Sequence, residues 1–265
     1  MGEAVRLAAI VVIAALGGMV NSIAGGGTLL TFPAIVALGV PPLIANATST
    51  VALWPGALSS MWGYRERLRG MRQWATIFAV PSLMGGVLGA WLLLVTPAKR
   101  FTLIVPWLVL GATVLFAAQG PVLRRLRANS GSNAVNGRDD GEFAPRHGAV
   151  ALTCQFLVGV YGGYFGAGIG ILMLAVLGYM GFTNIHRMNG LKNWGGLCIN
   201  FVAAVMFAFS GIVDWPVALA MAVGATAGGY LASRAAQKVP QVVVRRAIVG
   251  VGFGAGFWLL WARMA

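Results

Sequence analysis

The chain has 265 residues, of which 58% are hydrophobic and 9% charged, with a formal net charge of +13. A mean hydropathy of +0.82 leaves too little polar surface for a soluble domain of this size, and a bilayer is the solvent such a composition requires. The Lys and Arg residues stand mostly between apolar runs, as in loops facing anionic lipid, so membrane lipids are the expected partners and nucleic acid is not.

In chain order, apolar runs between charges predict five segments in the first half, roughly 4–22, 28–40, 44–62, 75–95 and 101–118. Five more follow at roughly 148–166, 169–181, 194–212, 217–234 and 246–263. None shows the alternating polarity of outer-membrane barrel strands. The first run, with Arg6 near its start, has the outline of a cleaved signal sequence. It leads directly into Asn21–Gly27 and a motif that recurs later, so it is read as a membrane segment. The second and seventh runs are too short to cross about 30 Å of hydrocarbon at about 1.5 Å per residue, which predicts tilted, broken or re-entrant helices.

Between the halves, Gln119–His147 carries Arg124, Arg125 and Arg127, then Asn, Ser and Gly, then Asp139, Asp140 and Glu142. Such a stretch reads as a flexible linker. Cys154 and Cys198 lie in apolar runs without the close spacing of a metal or redox pair and are read as core thiols.

Residues 25–111 reappear without a gap 143 positions later, in the pairs Gly25/Gly168, Gly27/Gly170, Leu29/Leu172, Asn46/Asn189, Gly85/Gly228, Gly86/Gly229, Leu88/Leu231 and Gly111/Gly254. Two apolar copies, each with a glycine-broken segment, suggest a transporter built from repeats around a central site. The expected division is a first membrane repeat over 1–118, a linker over 119–147 and a second repeat over 148–265. Equivalent loops differ in charge. Residues 63–74 hold Arg65, Arg67, Arg69 and Arg72, whereas their counterpart near 213–216 holds only Asp214; residues 40–46 are uncharged, whereas their counterpart holds His186, Arg187 and nearby Lys192. Under the positive-inside bias such loops face opposite sides of the membrane. Lys99 and Arg100 run against this scheme, but the larger cluster of Lys238, Arg245 and Arg246 outweighs them. The expected fold is an all-α membrane protein of two homologous halves arranged as inverted repeats, each with four to five transmembrane or re-entrant segments and a Gly-rich break.

Candidate chemistry follows from the breaks. Gly25, Gly26 and Gly27 free the backbone to bend, and a helix restarting at about Thr28 would aim unpaired amides and its positive dipole end back at them. Gly166-Ala-Gly-Ile-Gly170 would do the same from the other half. Small residues that merely let helices cross closely are the competing reading. Gly25, Gly26, Gly27, Thr28, Gly168 and Gly170 are the candidates for main-chain contacts to an anion. Asn46, Ser49, Thr50, His186, Asn189, Lys192 and Asn193 are the candidates for side-chain contacts. Asn189 corresponds to Asn46, Lys192 to Ser49 and Asn193 to Thr50, so only the second copy adds positive charge.

All six acids, Glu3, Glu66, Asp139, Asp140, Glu142 and Asp214, fall at an end or in a predicted loop. Proton relays and cation sites in membranes rely on buried carboxylates, so the pathway is expected to prefer anions. Moving one negative charge inward against the membrane potential costs about 2.3 kcal/mol per 100 mV, which makes export or facilitated flux the simpler direction. No triad, metal cluster or paired carboxylates occupies the spans, and the Gly-x-Gly-x-Gly run lacks the strand and ribose-binding acid of a dinucleotide site. Neither an enzyme nor a cofactor is expected.

The glycine triplet followed by Leu29, Pro33, Leu38-Gly39, Pro41-Pro42 and Ala45-Asn46-Ala47-Thr48-Ser49, with its degenerate copy at Gly163–Gly170 and His186–Lys192, resembles the sulfite exporter TauE/SafE family, also called the 4-toluene sulfonate uptake permeases. The resemblance implies a multi-pass protein of the bacterial inner membrane moving sulfite, sulfonates such as sulfoacetate, or related organic anions. A channel-like anion pore and proton-coupled uptake of an organosulfonate or carboxylate are the alternatives.

Overall fold

A computed structural model describes residues 2–24, 26–64, 71–133, 148–182, 184–235 and 241–264. Among them the chain forms ten helices: α1 (Glu3–Ala24), α2 (Gly27–Ala37), α3 (Pro42–Tyr64), α4 (Arg72–Val95), α5 (Ala98–Asn133), α6 (Gly148–Tyr164), α7 (Ile169–Tyr179), α8 (Ile185–Phe209), α9 (Trp215–Ala235) and α10 (Gln241–Met264). Among the described residues three stretches, Arg72–Val95, Ala98–Ala118 and Arg187–Phe209, are long and apolar enough to cross a membrane. Large apolar side chains such as Trp91, Trp107, Val223 and Trp261 are exposed on the outside, where lipid rather than water is the matching solvent. The helices α2 and α7, of 11 residues each, are about 16 Å long and do not span.

Two boundaries differ from the sequence reading. The fifth helix runs on to Asn133, past residue 118. The eighth begins at Ile185 rather than near 194, because Met188 and Leu191 are buried on one side of its polar first turns and hold them in the helix. Cys198 is buried as expected, whereas Cys154 is exposed beside Thr153 on the outer face of α6 and is not a core thiol. The loop cations Arg65, Arg67, Arg69 and Lys238 and the acids Glu66, Asp139, Asp140 and Glu142 lie outside the described residues.

Glycine decides how the helices meet. In the contact of α4 with α6, Gly85 faces the Phe156 carbonyl, Gly89 that of Val160, and Gly163 that of Gly86. In the contact of α1 with α9, Gly224 faces the Val11 carbonyl, Gly228 that of Ala15, and Gly18 that of Ala225. Small residues four apart remove the side-chain spacer, so backbones touch and dispersion takes the place of a hydrophobic force that lipid does not supply. The repeated pair Gly85/Gly228 therefore serves packing, as does Gly86, which faces the Ile199 backbone of α8.

The pairing pattern itself recurs. With α1 to α5 set against α6 to α10, α1 lies on α9 as α6 lies on α4, α3 on α9 as α8 on α4, and α2 on α10 as α7 on α5. The helices α3 and α8 pack on each other, as do α5 and α10. Along that last pair Leu110 meets Gly256, Thr113 meets Gly252 and Gly120 meets Arg245, so α5 and α10 run antiparallel.

Candidate functional site

The second break, from Phe165 to Gly168, is a turn held at two left-handed glycines, Gly166 and Gly168, both at φ +79°. That region is closed to most residues by the Cβ, which is why glycine stands there. The carbonyls freed by the interruption are capped. Tyr161 O accepts from Phe165 N at 2.9 Å and Gly166 N at 3.3 Å, and the Tyr161 hydroxyl donates to Ala167 O at 2.8 Å. The last carbonyl of α6, Tyr164 O, accepts from Asn46 Nδ2 at 3.0 Å, which fastens α3 of the first half to the break of the second. At the start of α7, Ile171 N donates to Gly168 O at 3.2 Å, and the amides of Ile169 and Gly170 precede it in the first turn.

The first break is tighter. A Cβ on Gly26 would lie 2.6 Å from the Phe116 ring, and one on Gly27 would lie 2.9 Å from Asn21 Cβ and against the Gly17 carbonyl. Gly25 lies outside the described residues. The two breaks back onto one helix. Gly168 stands over Ala112 O, at 3.4 Å for a built Cβ, and Phe116 is the next turn of α5, about 6 Å further on. An edge-to-face pair, Phe32 with Phe165 at 5.4 Å, joins α2 to the second break.

Polar side chains converge on this turn from α3 and α8. Asn46 and Ser49, three residues apart on one face of α3, are 1% and 0% exposed. Neither Asn46 Oδ1 nor Ser49 Oγ has a hydrogen-bond partner among the described residues. Thr50 donates to Asn46 O at 2.9 Å, which commits its hydroxyl to its own helix. On α8, Asn189, Lys192 and Asn193 are half-buried on a common face, and the stem of Lys192 covers Gly170, with Cδ 3.3 Å from a Cβ built there. Asn200 continues that face two turns on, its Oδ1 3.9 Å from a Cβ built on Gly166. Thr28 is half-buried at the start of α2, and the side chain of His186 lies outside the described residues.

Asn46 and Lys192 thus flank the turn, Asn46 at Tyr164 before it and Lys192 at Gly170 after it, with Ser49 three residues from Asn46 along α3. Gly26 and Gly27 face protein atoms. Asn200 is an addition that sequence reasoning missed, and Gly166, read there only as part of the break, is one of its two left-handed residues. The seven-residue step from Asn193 to Asn200 repeats a helical face and was the available signal; the counterpart of Asn200 in the first half is Ala57, so the repeat gave none.

A helical bundle of this composition, with interrupted helices enclosing a polar turn, defines a polytopic membrane transporter. The family described as Sulfite exporter TauE/SafE matches residues 10–259, and the chain belongs to that family. It is 30% identical to "Probable membrane transporter protein ORF9" of Sinorhizobium sp over 257 residues, covering 96% of this chain and 92% of the relative. It is 29% identical to "Probable membrane transporter protein YfcA" of Escherichia coli K12, covering 89% and 83%. A "Probable membrane transporter protein" of Haemophilus influenzae is 27% identical, with 88% and 86% covered. No solved structure matches the chain. The family is one of transporters, not of enzymes.

Proposed function

We propose that the protein is a secondary transporter moving small sulfur-containing or organic anions, sulfite and sulfonates such as sulfoacetate, across the bacterial inner membrane, with export favoured. The observation that carries this reading is the polar turn at the second break. A cation, Lys192, and two buried polar groups, Asn46 and Ser49, gather there while the spans among the described residues contain no carboxylate. Glu3 opens α1, and Asp214 stands in the loop before α9, where its Oδ1 accepts from Val217 N at 3.2 Å. An anion entering such a site meets donors and positive charge without a repelling carboxylate.

The halves are read as inverted repeats. Equivalent helices of two parallel copies would run the same way, and the antiparallel course of α5 and α10 supports inversion instead. Alternating access then follows as a rocking of the group α1, α3 and α9 against the group α6, α8 and α4, each locked by its own glycine contacts and meeting the other along α3 and α8. Outward movement of an anion gains about 2.3 kcal/mol per charge per 100 mV, so export proceeds without a coupling ion.

The test is flux of labelled sulfite, sulfoacetate and acetate through proteoliposomes, with Lys192→Ala beside the wild type. Saturable flux accelerated by substrate on the far side is expected, with the variant at least about tenfold slower, because one charge-assisted hydrogen bond is worth about 1.5–3 kcal/mol. Flux without saturation or trans acceleration would indicate a pore, and undiminished flux in the variant would remove Lys192 from the mechanism.

A further inference from the structure

We infer that the solute carries a hydrogen-bond donor of its own, an O–H or N–H group, in addition to its negative charge; this rests on the transport reading and narrows its substrate class, keeping hydrogensulfite and leaving out sulfoacetate, which when ionised has only acceptors. The argument starts from Asn46. Its Nδ2 is 3.0 Å from Tyr164 O, and because a carbonyl only accepts, the amide orientation is determined: nitrogen toward Tyr164, Oδ1 away. That leaves Oδ1 as a buried acceptor without a donor among the described residues.

One turn along the same face is Ser49, whose hydroxyl is equally buried and equally unpartnered. Other helical hydroxyls return to the carbonyl four residues back, at Thr31 (3.3 Å), Thr50 (2.9 Å), Ser82 (2.6 Å) and Thr113 (2.7 Å). Ser49 does not. An acceptor and a free hydroxyl at helix positions i and i+3 lie about 5–6 Å apart at Cβ, a spacing that one ligand hydroxyl bridges by donating to Oδ1 and accepting from Oγ. A bare sulfonate or carboxylate has only acceptors. It would set oxygen against oxygen at Asn46 and leave the buried acceptor unpaired. Hydrogensulfite and hydroxy- or amino-substituted sulfonates satisfy both atoms, with the anionic oxygens left for Lys192 and the amides of α7.

The experiment uses two monoanions of equal length, 2-hydroxyethanesulfonate and propane-1-sulfonate, in proteoliposomes of the full chain, with protein-free liposomes correcting for leak. A site built around a hydroxyl rejects the analogue lacking it, so kcat/KM for the hydroxylated anion is expected to exceed the other by about tenfold to hundredfold. Ser49→Ala narrows that ratio severalfold, and Asn46→Leu brings it to about one. Equal flux of the two anions in the wild type overturns the inference and leaves anion transport standing; it would mean that a buried water satisfies the pair. A ratio that survives in both variants also overturns it. Absence of saturable flux for either anion and for sulfite overturns the transport reading, and this inference with it.

Discussion

Replacing Asn46 by leucine separates a ligand-binding role from a structural one, because the two roles predict different stabilities. The substitution keeps the branched outline of the side chain and removes both of its polar atoms. Losing Nδ2 strips Tyr164 O of its 3.0 Å donor and leaves a buried carbonyl unpaired, at about 1–3 kcal/mol. Losing Oδ1 removes an acceptor that is already unpaired, which returns a similar amount. The two nearly cancel, so the unliganded protein should change by no more than about 1 kcal/mol, or about 2–4 °C in melting temperature. Binding is another matter. In the wild type, sulfite at about a hundred times its Kd stabilises by about 2.7 kcal/mol. A loss of about 1–3 kcal/mol in affinity lowers that to about 0.3–1.8 kcal/mol at the same concentration. Melting in detergent, followed by tryptophan fluorescence with and without sulfite, measures both quantities. A variant that melts far below the wild type without ligand would show Asn46 to be a structural fastener, and one that keeps the full ligand shift would remove it from the site.

Two further outcomes follow from the glycines. Gly168→Ala leaves room for the Cβ, at 3.4 Å from Ala112 O, but forces alanine to φ +79°; the strain of about 1–2 kcal/mol should slow flux severalfold to about thirtyfold, whereas Gly196→Ala, which faces open space, should leave it unchanged. Gly163→Leu would drive a side chain into the Gly86 carbonyl between α4 and α6, so detergent-extracted yield and melting temperature should fall sharply; a normal yield would contradict the close approach of these helices.

Much of the architecture was legible in the residues. Apolar runs of helical length, the doubled motif at a constant offset and the confinement of acids to loops and ends are one-dimensional properties, and each reflects the same cost of leaving polar groups in hydrocarbon. They set the number of helices and the two short segments, and they carry the expectation of an anionic solute. The family was readable for the same reason, since its motif is a run of consecutive glycines, prolines and asparagines.

Which glycine does what was decided only in three dimensions. Gly85 and Gly168 look alike in the sequence, yet one exists to let backbones touch and the other to turn left-handed, a distinction set by the partner carbonyl in one case and by φ in the other. The bond from Asn46 to Tyr164 joins residues 118 positions apart, and the solitude of Oδ1 and Ser49 Oγ is a property of everything that fails to reach them. A chain can announce that it must bury polar atoms; only its packing determines which of them remain unpaired, because a hydrogen bond depends on distance and angle between groups that have no fixed separation along the backbone.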